Sequence, residues 1–250
     1  MTAPVFVVDS LEGVGPGSII DVTGPEGRHA VSVRRLQSGE DVVITDGKGR
    51  GAAGVVLSAS GKDHLVVEPF EFPVEPEPSP RITVVQALPK GDRGELAVET
   101  MTETGVDAIV PWSAARCITQ WKGDRGLKAL AKWRATAREA GKQSRRLRFP
   151  EVADTATSRQ VAALLAKADF AAVLHEDRDY GSEPLATAEL PVTGEIVLVV
   201  GPEGGVSPEE LALFEEAGAK AYRLGRSVLR TSTAGTAATA LLLGRTGRWS

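Results

Sequence analysis

The stretch IVLVVGPEGGVSPEEL, residues 196–211, decides the fold of this chain. Its five leading apolar residues are typical of a strand buried on both faces of a parallel sheet. The turn GPEGG follows at once, and Ser207 and Glu210 then have the spacing of a helix capping box, with Pro208 at the first helical position. This succession predicts a strand, a glycine loop and a helix. At the end of such a strand, glycines let the backbone approach a ligand closely.

The sequence around this stretch alternates in the same way. Buried-type strands separated by helices favour an α/β layer structure with a mainly parallel sheet over residues 81–250. Strands are predicted at 82–88, 108–110, 170–174, 196–200 and 221–224, and helices at 94–104, 126–145, 158–166, 208–217 and 233–243.

The first 72 residues have a different pattern, with short apolar runs between turn residues. This pattern predicts a small β domain with one helix within residues 26–40. The stretch PVEPEPSP, residues 73–80, follows, and its four prolines predict a semi-rigid linker. The predicted strands lie at 5–8, 18–22, 41–45, 54–57 and 65–67.

Another glycine-rich stretch, GRGAAG at residues 49–54, matches the dinucleotide pattern GxGxxG. That pattern binds NAD only where the loop opens a helix inside a βαβ unit. Here the flanking residues on both sides are typical strands joined by a DG-type turn, so a β-hairpin is predicted. An NAD-dependent enzyme remains the less favoured alternative.

Composition excludes several classes of protein. A single Cys117 and three scattered histidines in 250 residues cannot form a Cys/His zinc site or an internal disulfide, so no metal is expected. No apolar run approaches the roughly 18 residues of a membrane span, and the first residues do not resemble a secretion signal. We therefore expect a cytoplasmic protein that does not enter a membrane.

The net charge of -4 hides a strongly basic segment. Residues 122–148 contain ten basic and two acidic residues, and most of the cations share one face of the helix predicted at 126–145. Trp133 lies on the opposite, apolar face together with Leu127. The basic face fits either a polyanion such as RNA or a solvated helix surface.

Four motifs together resemble one family, the RsmE-type 16S ribosomal RNA uridine N3-methyltransferases, which belong to the SPOUT class. The resemblance covers the whole chain. Its motifs are GPEGG with LGRSVLRTSTA (201–205 and 224–234), PKGDRGELAVETMTETGVDAIVPW (89–112), REAGKQSRRLRFPEV (138–152) and GRHAVSVRRLQSGE (27–40). The chain departs from the family pattern at Thr100, at Lys142 and at Ser232, which stands where the family usually has Glu.

The resemblance implies an N-terminal PUA-like β-barrel that helps to hold RNA and a C-terminal α/β domain with a trefoil knot. It also implies S-adenosylmethionine as cofactor, 16S ribosomal RNA or the small ribosomal subunit as partner, and a homodimer. By motif, the methyl-donor site falls on Leu174, His175, Val200, Gly201, Pro202, Glu203, Gly204, Gly205, Leu224, Gly225, Val228 and Leu229.

Methylation of uracil N3 requires the N3 proton to leave and the resulting negative charge to be stabilised. On the resemblance, Arg230 is predicted to stabilise that charge and Glu103 to accept the proton. The predicted RNA contacts are His29, Arg34, Arg35, Lys128, Lys132, Arg138, Gln143 and Arg146. A SPOUT enzyme acting on another RNA position or on a ribose oxygen, and a non-catalytic RNA-binding protein, remain alternatives.

Overall fold

The computed structural model describes residues 3–175 and 181–249. The chain forms two compact units, and each unit is built from two segments. The first unit consists of Met1–Glu77 with Gly141–Phe149, and the second of Pro78–Ala140 with Pro150–Ser250. The predicted division into 1–72, a linker at 73–80 and 81–250 assigned Gly141–Phe149 to the second domain, whereas this segment belongs to the first unit.

A five-stranded sheet, in the order β1-β3-β4-β5-β2, forms the first unit. β1 and β3 are parallel, whereas the other neighbours are antiparallel. The pairing of β4 with β5 shifts register twice, and such bulges bend a sheet. The apolar side chains that alternate along these strands form a separate core. The strands are β1 (Val5–Val7), β2 (Ile20–Val22), β3 (Asp41–Thr45), β4 (Gly51–Ser60) and β5 (His64–Glu71).

The helix predicted within 26–40 is shorter and less regular than expected. Helix α1 (Gly24–Arg28) continues into a π-helical turn, His29–Val33. The backbone N–H of Arg34 donates to the His29 carbonyl at 2.8 Å, and Arg35 has a φ of 56°. This left-handed residue ends the helix because the chain can no longer continue its hydrogen-bond pattern.

Much of the proline-rich stretch 73–80 is paired within the first unit. The Pro73 carbonyl accepts the backbone N–H of Gly51, and Glu75 donates its N–H to the Gly49 carbonyl at 2.7 Å. The Glu75 carboxylate also accepts the backbone N–H groups of Leu147 and Arg148. These bonds hold the segment Gly141–Phe149 in the first unit.

The second unit contains a seven-stranded sheet in the order β10-β12-β9-β11-β6-β7-β8, and all of its pairings are parallel. The predicted parallel sheet is therefore confirmed. Its central strands are buried along almost their whole length, as a sheet covered on both faces requires. The strands are β6 (Arg81–Ala87), β7 (Ala108–Trp112), β8 (Glu151–Val152), β9 (Phe170–Leu174), β10 (Glu183–Pro184), β11 (Glu195–Val200) and β12 (Lys220–Arg223).

The helices cover this sheet. About half of the residues of α6 are buried. α6 packs against α2 and against β6 and β11, with small residues on the contact side. The absence of a side chain at Gly235 lets Met101 pack closely, because a Cβ would come within 2.6 Å of the Met101 sulfur. The helices are α2 (Arg93–Thr104), α3 (Gly123–Gln143), α4 (Ser158–Leu165), α5 (Pro208–Glu216) and α6 (Thr231–Arg245), with a 3₁₀ turn at Leu185–Thr187.

The apolar face predicted for α3 is confirmed at Trp133, which is 2% exposed and stacks edge-on against Trp121. The prediction is wrong at Leu127, which is 67% exposed near the start of the helix. It is also wrong for the basic face at Lys142, because this side chain is buried and its Nζ lies 3.1 Å from the Glu26 carboxylate. Among the described helices, none is long and apolar enough to cross a membrane.

Candidate methyl-donor site

A cavity of about 530 Å³ opens at the carboxyl ends of three neighbouring strands in the second unit. Leu174 and His175 lie at the end of β9, residues 200–206 at and after the end of β11, and residues 222–231 at and after the end of β12. The sheet order puts these three turns side by side, since β9 lies between β11 and β12. Carboxyl ends of parallel strands are where open α/β sheets bind small molecules.

All the residues predicted for the methyl-donor site line this cavity, and so does Arg230. The structure thus brings together three segments that are up to about fifty residues apart in sequence. Nine further lining residues were not predicted; five of them lie within the motifs 89–112 and 224–234, but the resemblance assigned them no part in the site. They are Arg93, Arg116, Val206, Tyr222, Arg223, Arg226, Ser227, Thr231 and Ala234.

The loop 201–205 is held rigid at its far end by the predicted capping box. The Ser207 side chain accepts the Glu210 N–H, and the Glu210 carboxylate accepts the Ser207 N–H, so α5 begins at Pro208 as predicted. The same carboxylate accepts the Ala115 N–H at 2.8 Å and the Ser158 hydroxyl at 2.7 Å. Glu210 therefore ties the glycine loop to two other parts of the unit.

Three side chains hold the loop along its length. The Thr231 hydroxyl donates to the Gly201 carbonyl at 3.1 Å, and the Arg116 guanidinium donates to the Gly204 carbonyl at 3.2 Å. Arg93 lies 3.6 Å from the Glu203 carboxylate. The backbone around the cavity is thus fixed before any ligand arrives, which reduces the entropy lost on binding.

The cavity is rich in positive charge. Five described arginines line it, and Glu203 is the single acidic residue among the described lining residues. Tyr222 also lines it, and burial raises the pKa of its phenol, with a smaller contribution from the charge of Glu183. The phenol is consequently neutral at physiological pH. An anionic substrate is therefore favoured near the mouth of this cavity.

Glu103 lies elsewhere. It is exposed on α2 and does not line the cavity, so within the described part of one chain it is not beside Arg230. Among the same described residues, no group of three or more His, Cys, Asp or Glu side chains could hold a metal ion.

The basic residues predicted on α3 are exposed at Lys128, Lys132 and Arg138. Lys132 is paired with Glu95 at 3.0 Å, and the neighbouring Arg134 is paired with Asp154 at 2.9 Å. These exposed pairs contribute little to stability and leave the face basic.

The remaining predicted RNA contacts lie in the first unit. His29, Arg34 and Gln143 line one small cavity, whereas Arg35 is exposed and Arg146 half-buried outside it. His29 also contacts Phe6 edge-on, with 5.8 Å between the ring centroids.

The glycine-rich stretch GRGAAG, residues 49–54, lies in and next to β4. Because β4 pairs antiparallel with β3, the predicted hairpin is confirmed.

Comparison with known proteins places the chain in a family. The model of the RNA methyltransferase domain matches residues 75–243, and the model of the RNA methyltransferase PUA domain matches residues 22–70. Ribosomal RNA small subunit methyltransferase E of Mycobacterium bovis is 44% identical over 254 aligned positions, which cover 100% of this chain and 94% of that protein. The chain belongs to the ribosomal RNA small subunit methyltransferase E family.

Solved structures agree with membership of the methyltransferase E family. A Neisseria gonorrhoeae member, bound to S-adenosyl methionine, has a TM-score of 0.85 at 29% identity, with 98% of each chain covered. A Legionella pneumophila putative methyltransferase, in complex with the same cofactor, also has a TM-score of 0.85, at 26% identity and the same coverage. The predicted fold class, a SPOUT-type α/β domain with a PUA-like domain, is confirmed.

Proposed function

We propose that this protein transfers a methyl group from S-adenosylmethionine to N3 of a uridine in 16S ribosomal RNA. The observation that carries the proposal is the cavity built from three turns at adjacent strand ends, in a chain of the methyltransferase E family. Its substrate is then 16S ribosomal RNA, alone or in the small ribosomal subunit, and its place is the cytoplasm, where ribosomes are made.

The residues present suit the cofactor. A volume of about 530 Å³ lies within the range of small-molecule sites, roughly 300–1,000 Å³. Apolar side chains of Leu174, Val200 and Leu224 offer surface to an adenine ring, and the arginines offer partners for a carboxylate. A Cβ added at Gly225 would meet no other atom within 4 Å, so the space in front of this glycine is open. When bound, the cofactor supplies an electrophilic methyl group on sulfur.

The role of Arg230 in charge stabilisation is supported by its place on the lining of the cavity. It is the N-cap residue of α6 with an extended ψ of 151°, and its side chain is exposed at the cavity. As the N3 proton leaves, negative charge spreads onto the uracil oxygens, and a guanidinium beside them lowers the energy of that anion. Glu103 remains our proposal for the proton acceptor, although within one chain it does not line the cavity.

We propose that the RNA contacts the basic residues predicted on α3 and at its C-terminal end. N3 lies on the Watson–Crick edge, so the uridine must be unpaired before it can react. Lys128, Lys132 and Arg138 supply cations on α3, and Gln143 and Arg146 are proposed to orient base or phosphate. A homodimer, implied by the family resemblance, is part of the same proposal.

The charge-stabilising role of Arg230 is tested by Arg230→Lys. We expect kcat for methylation of small ribosomal subunits to fall by roughly a hundredfold or more, as when one oxyanion-stabilising group is removed. Affinity for S-adenosylmethionine, measured by calorimetry, should stay unchanged. Arg159→Lys, an exposed position on α4 outside the cavity, is the matched control. Near-normal turnover of Arg230→Lys would remove this residue from the mechanism.

The target atom is tested on the product. Nucleosides from 16S ribosomal RNA of a strain without the gene should lack N3-methyluridine by mass spectrometry, and the purified protein should restore it. A missing ribose methyl group or a different base modification would instead favour another SPOUT activity.

A further inference from the structure

A second, smaller cavity of about 130 Å³ lies wholly in the first unit. It is lined by residues from the start of the chain, from the π-helical turn and from the end of α3, and three of these carry a permanent positive charge. The lining consists of Ala3, Pro4, Val5, Phe6, His29, Arg34, Lys142, Gln143 and Arg145.

Two helix ends converge on this cavity, and each presents an arginine. At the first, the bond from the Arg34 N–H to the His29 carbonyl closes a π-helical turn and puts both side chains on the cavity. At the second, the Arg145 N–H donates to the Lys142 carbonyl at 3.1 Å and the Arg146 N–H to the Gly141 carbonyl at 3.0 Å. This is the bond pattern of a Schellman motif, with Arg145 at the position where glycine is usual.

The backbone at Arg145 is strained. Its φ is 59°, and among the described residues the only other non-glycine with positive φ is Arg35, at the end of the π-helical turn. A left-handed conformation is unfavourable for a residue with a Cβ, and glycine would adopt it without that cost. Strain of this kind is typically kept at functional sites. The side chain of Arg145 is exposed at the cavity.

The base of the cavity is fixed by a buried ion pair. Lys142 Nζ lies 3.1 Å from Glu26 Oε1, with the two side chains 4% and 14% exposed. The other oxygen of Glu26 accepts the Val7 N–H at 3.2 Å, so the pair also anchors β1. Lys142 is thus compensated, whereas Arg34 and Arg145 have no carboxylate within ion-pair distance in the described part of the chain. The cavity therefore has an excess of positive charge.

We propose that this cavity binds one phosphodiester group of the substrate RNA, between the guanidiniums of Arg34 and Arg145 with His29 and Gln143 beside it. The inference rests on the proposed function for the identity of the RNA. A small cavity edged by two uncompensated guanidiniums fits an anion better than a neutral base, because guanidinium and phosphate oxygens form strong charge-assisted hydrogen bonds.

The test compares the salt dependence of RNA binding. Small ribosomal subunits from a strain without the gene are titrated with the full-length protein and with Arg34→Gln/Arg145→Gln at several salt concentrations. Loss of one phosphate contact should reduce the slope of log K against log salt by about 0.8 and weaken binding about tenfold at low salt. Arg50→Gln/Lys62→Gln removes the same charge from exposed positions of the first unit outside the cavity, and should change the slope less.

A separate variant excludes a purely structural role. Cations at helix ends also stabilise helices, and this is the competing explanation for Arg145. Arg145→Gly removes the cation and relieves the left-handed strain, so Tm should stay equal or rise while RNA binding falls.

An unchanged salt slope in the Arg34→Gln/Arg145→Gln variant, or an equal loss in the control variant, contradicts the phosphate site. Failure of the unaltered protein to bind S-adenosylmethionine or to methylate RNA contradicts the proposed function instead.

Discussion

The two glycine-rich turns of this chain have similar compositions and opposite surroundings. In GRGAAG, a Cβ at Gly49 would come within 2.5 Å of the Arg148 guanidinium and 2.6 Å of the Glu75 carbonyl, and one at Gly54 within 2.5 Å of the Glu68 carbonyl. In the turns around the large cavity, a Cβ at Gly205 would meet nothing closer than 3.9 Å, and one at Gly225 nothing within 4 Å.

In the first turn, other parts of the same chain fill the space beside the glycines. Around the large cavity, Gly205 and Gly225 face open space, whereas a Cβ at Gly201 would lie 2.8 Å from the Val206 side chain. A glycine pattern by itself does not distinguish these cases. The flanking elements do, since GRGAAG enters a strand of an antiparallel hairpin, whereas GPEGG leaves a parallel strand and precedes a helix. Substituting side chains at the two turns should therefore damage different properties.

The largest effect is expected from Gly49→Val. The new side chain collides with Arg148 and Glu75, and the φ of 104° is unfavourable for any Cβ, so the free energy of unfolding should fall by about 3 kcal/mol or more. Urea unfolding measures this. Gly61→Val is the control, because Gly61 has a φ of 63° but no atom within 4 Å of a Cβ. Equal losses in both variants would show that conformation, not packing, requires glycine at residue 49.

Gly225→Val should leave the fold intact and damage binding. With no neighbour in reach, the free energy of unfolding should change by less than about 0.5 kcal/mol. The added methyl groups occupy the side of the cavity proposed for the cofactor, so affinity for S-adenosylmethionine should fall at least about tenfold, or 1.4 kcal/mol. Calorimetry checks this, with Gly15→Val as a control at an equally open position outside the cavity. Normal affinity would mean that the cofactor does not use this side.

The smallest effect concerns Tyr222, which lines the same cavity. Burial raises the pKa of its phenol above the ordinary 10.0, so the folded state holds this proton more tightly than the unfolded state. The contribution of Tyr222 to the free energy of unfolding is fully present below pH 10.0. It decreases as the pH rises through the raised pKa, by at most about 1.4 kcal/mol per pH unit. Tyr222→Phe should therefore flatten the decline of unfolding free energy above that pH. Identical alkaline profiles would contradict the assignment.

Periodicity and capping signals were sufficient to predict most of the helices and strands of the second unit. Strand 170–174 was predicted with its observed ends, and α5 was placed by Ser207, Pro208 and Glu210. The two-residue strands β8 and β10 were missed because two residues cannot show a period. The order of the strands, on which the cavity depends, is a property of long-range pairing that no local pattern contains.

The residues of the candidate site also fall into those that the sequence predicted and those that it missed. Residues in motifs, such as Gly201 and Arg230, were found by resemblance. Arg93, at the start of α2, and Arg116 were missed, because only the long-range arrangement of the strands brings them to the cavity. Lys142 shows the limit of a helical projection. Its place on a basic face predicted that Lys142 is exposed. Instead, its side chain is buried and paired with Glu26, which lies over a hundred residues earlier in the sequence.

The first unit is completed by a segment that comes late in the sequence. Thr45 donates its hydroxyl to the Leu147 carbonyl, Phe149 donates its N–H to the Gly47 carbonyl, and Glu75 accepts two N–H groups from the same segment. During synthesis, these bonds cannot form when only the first 77 residues have left the ribosome. They must wait until residue 149 has emerged, by which time part of the second unit has also been made.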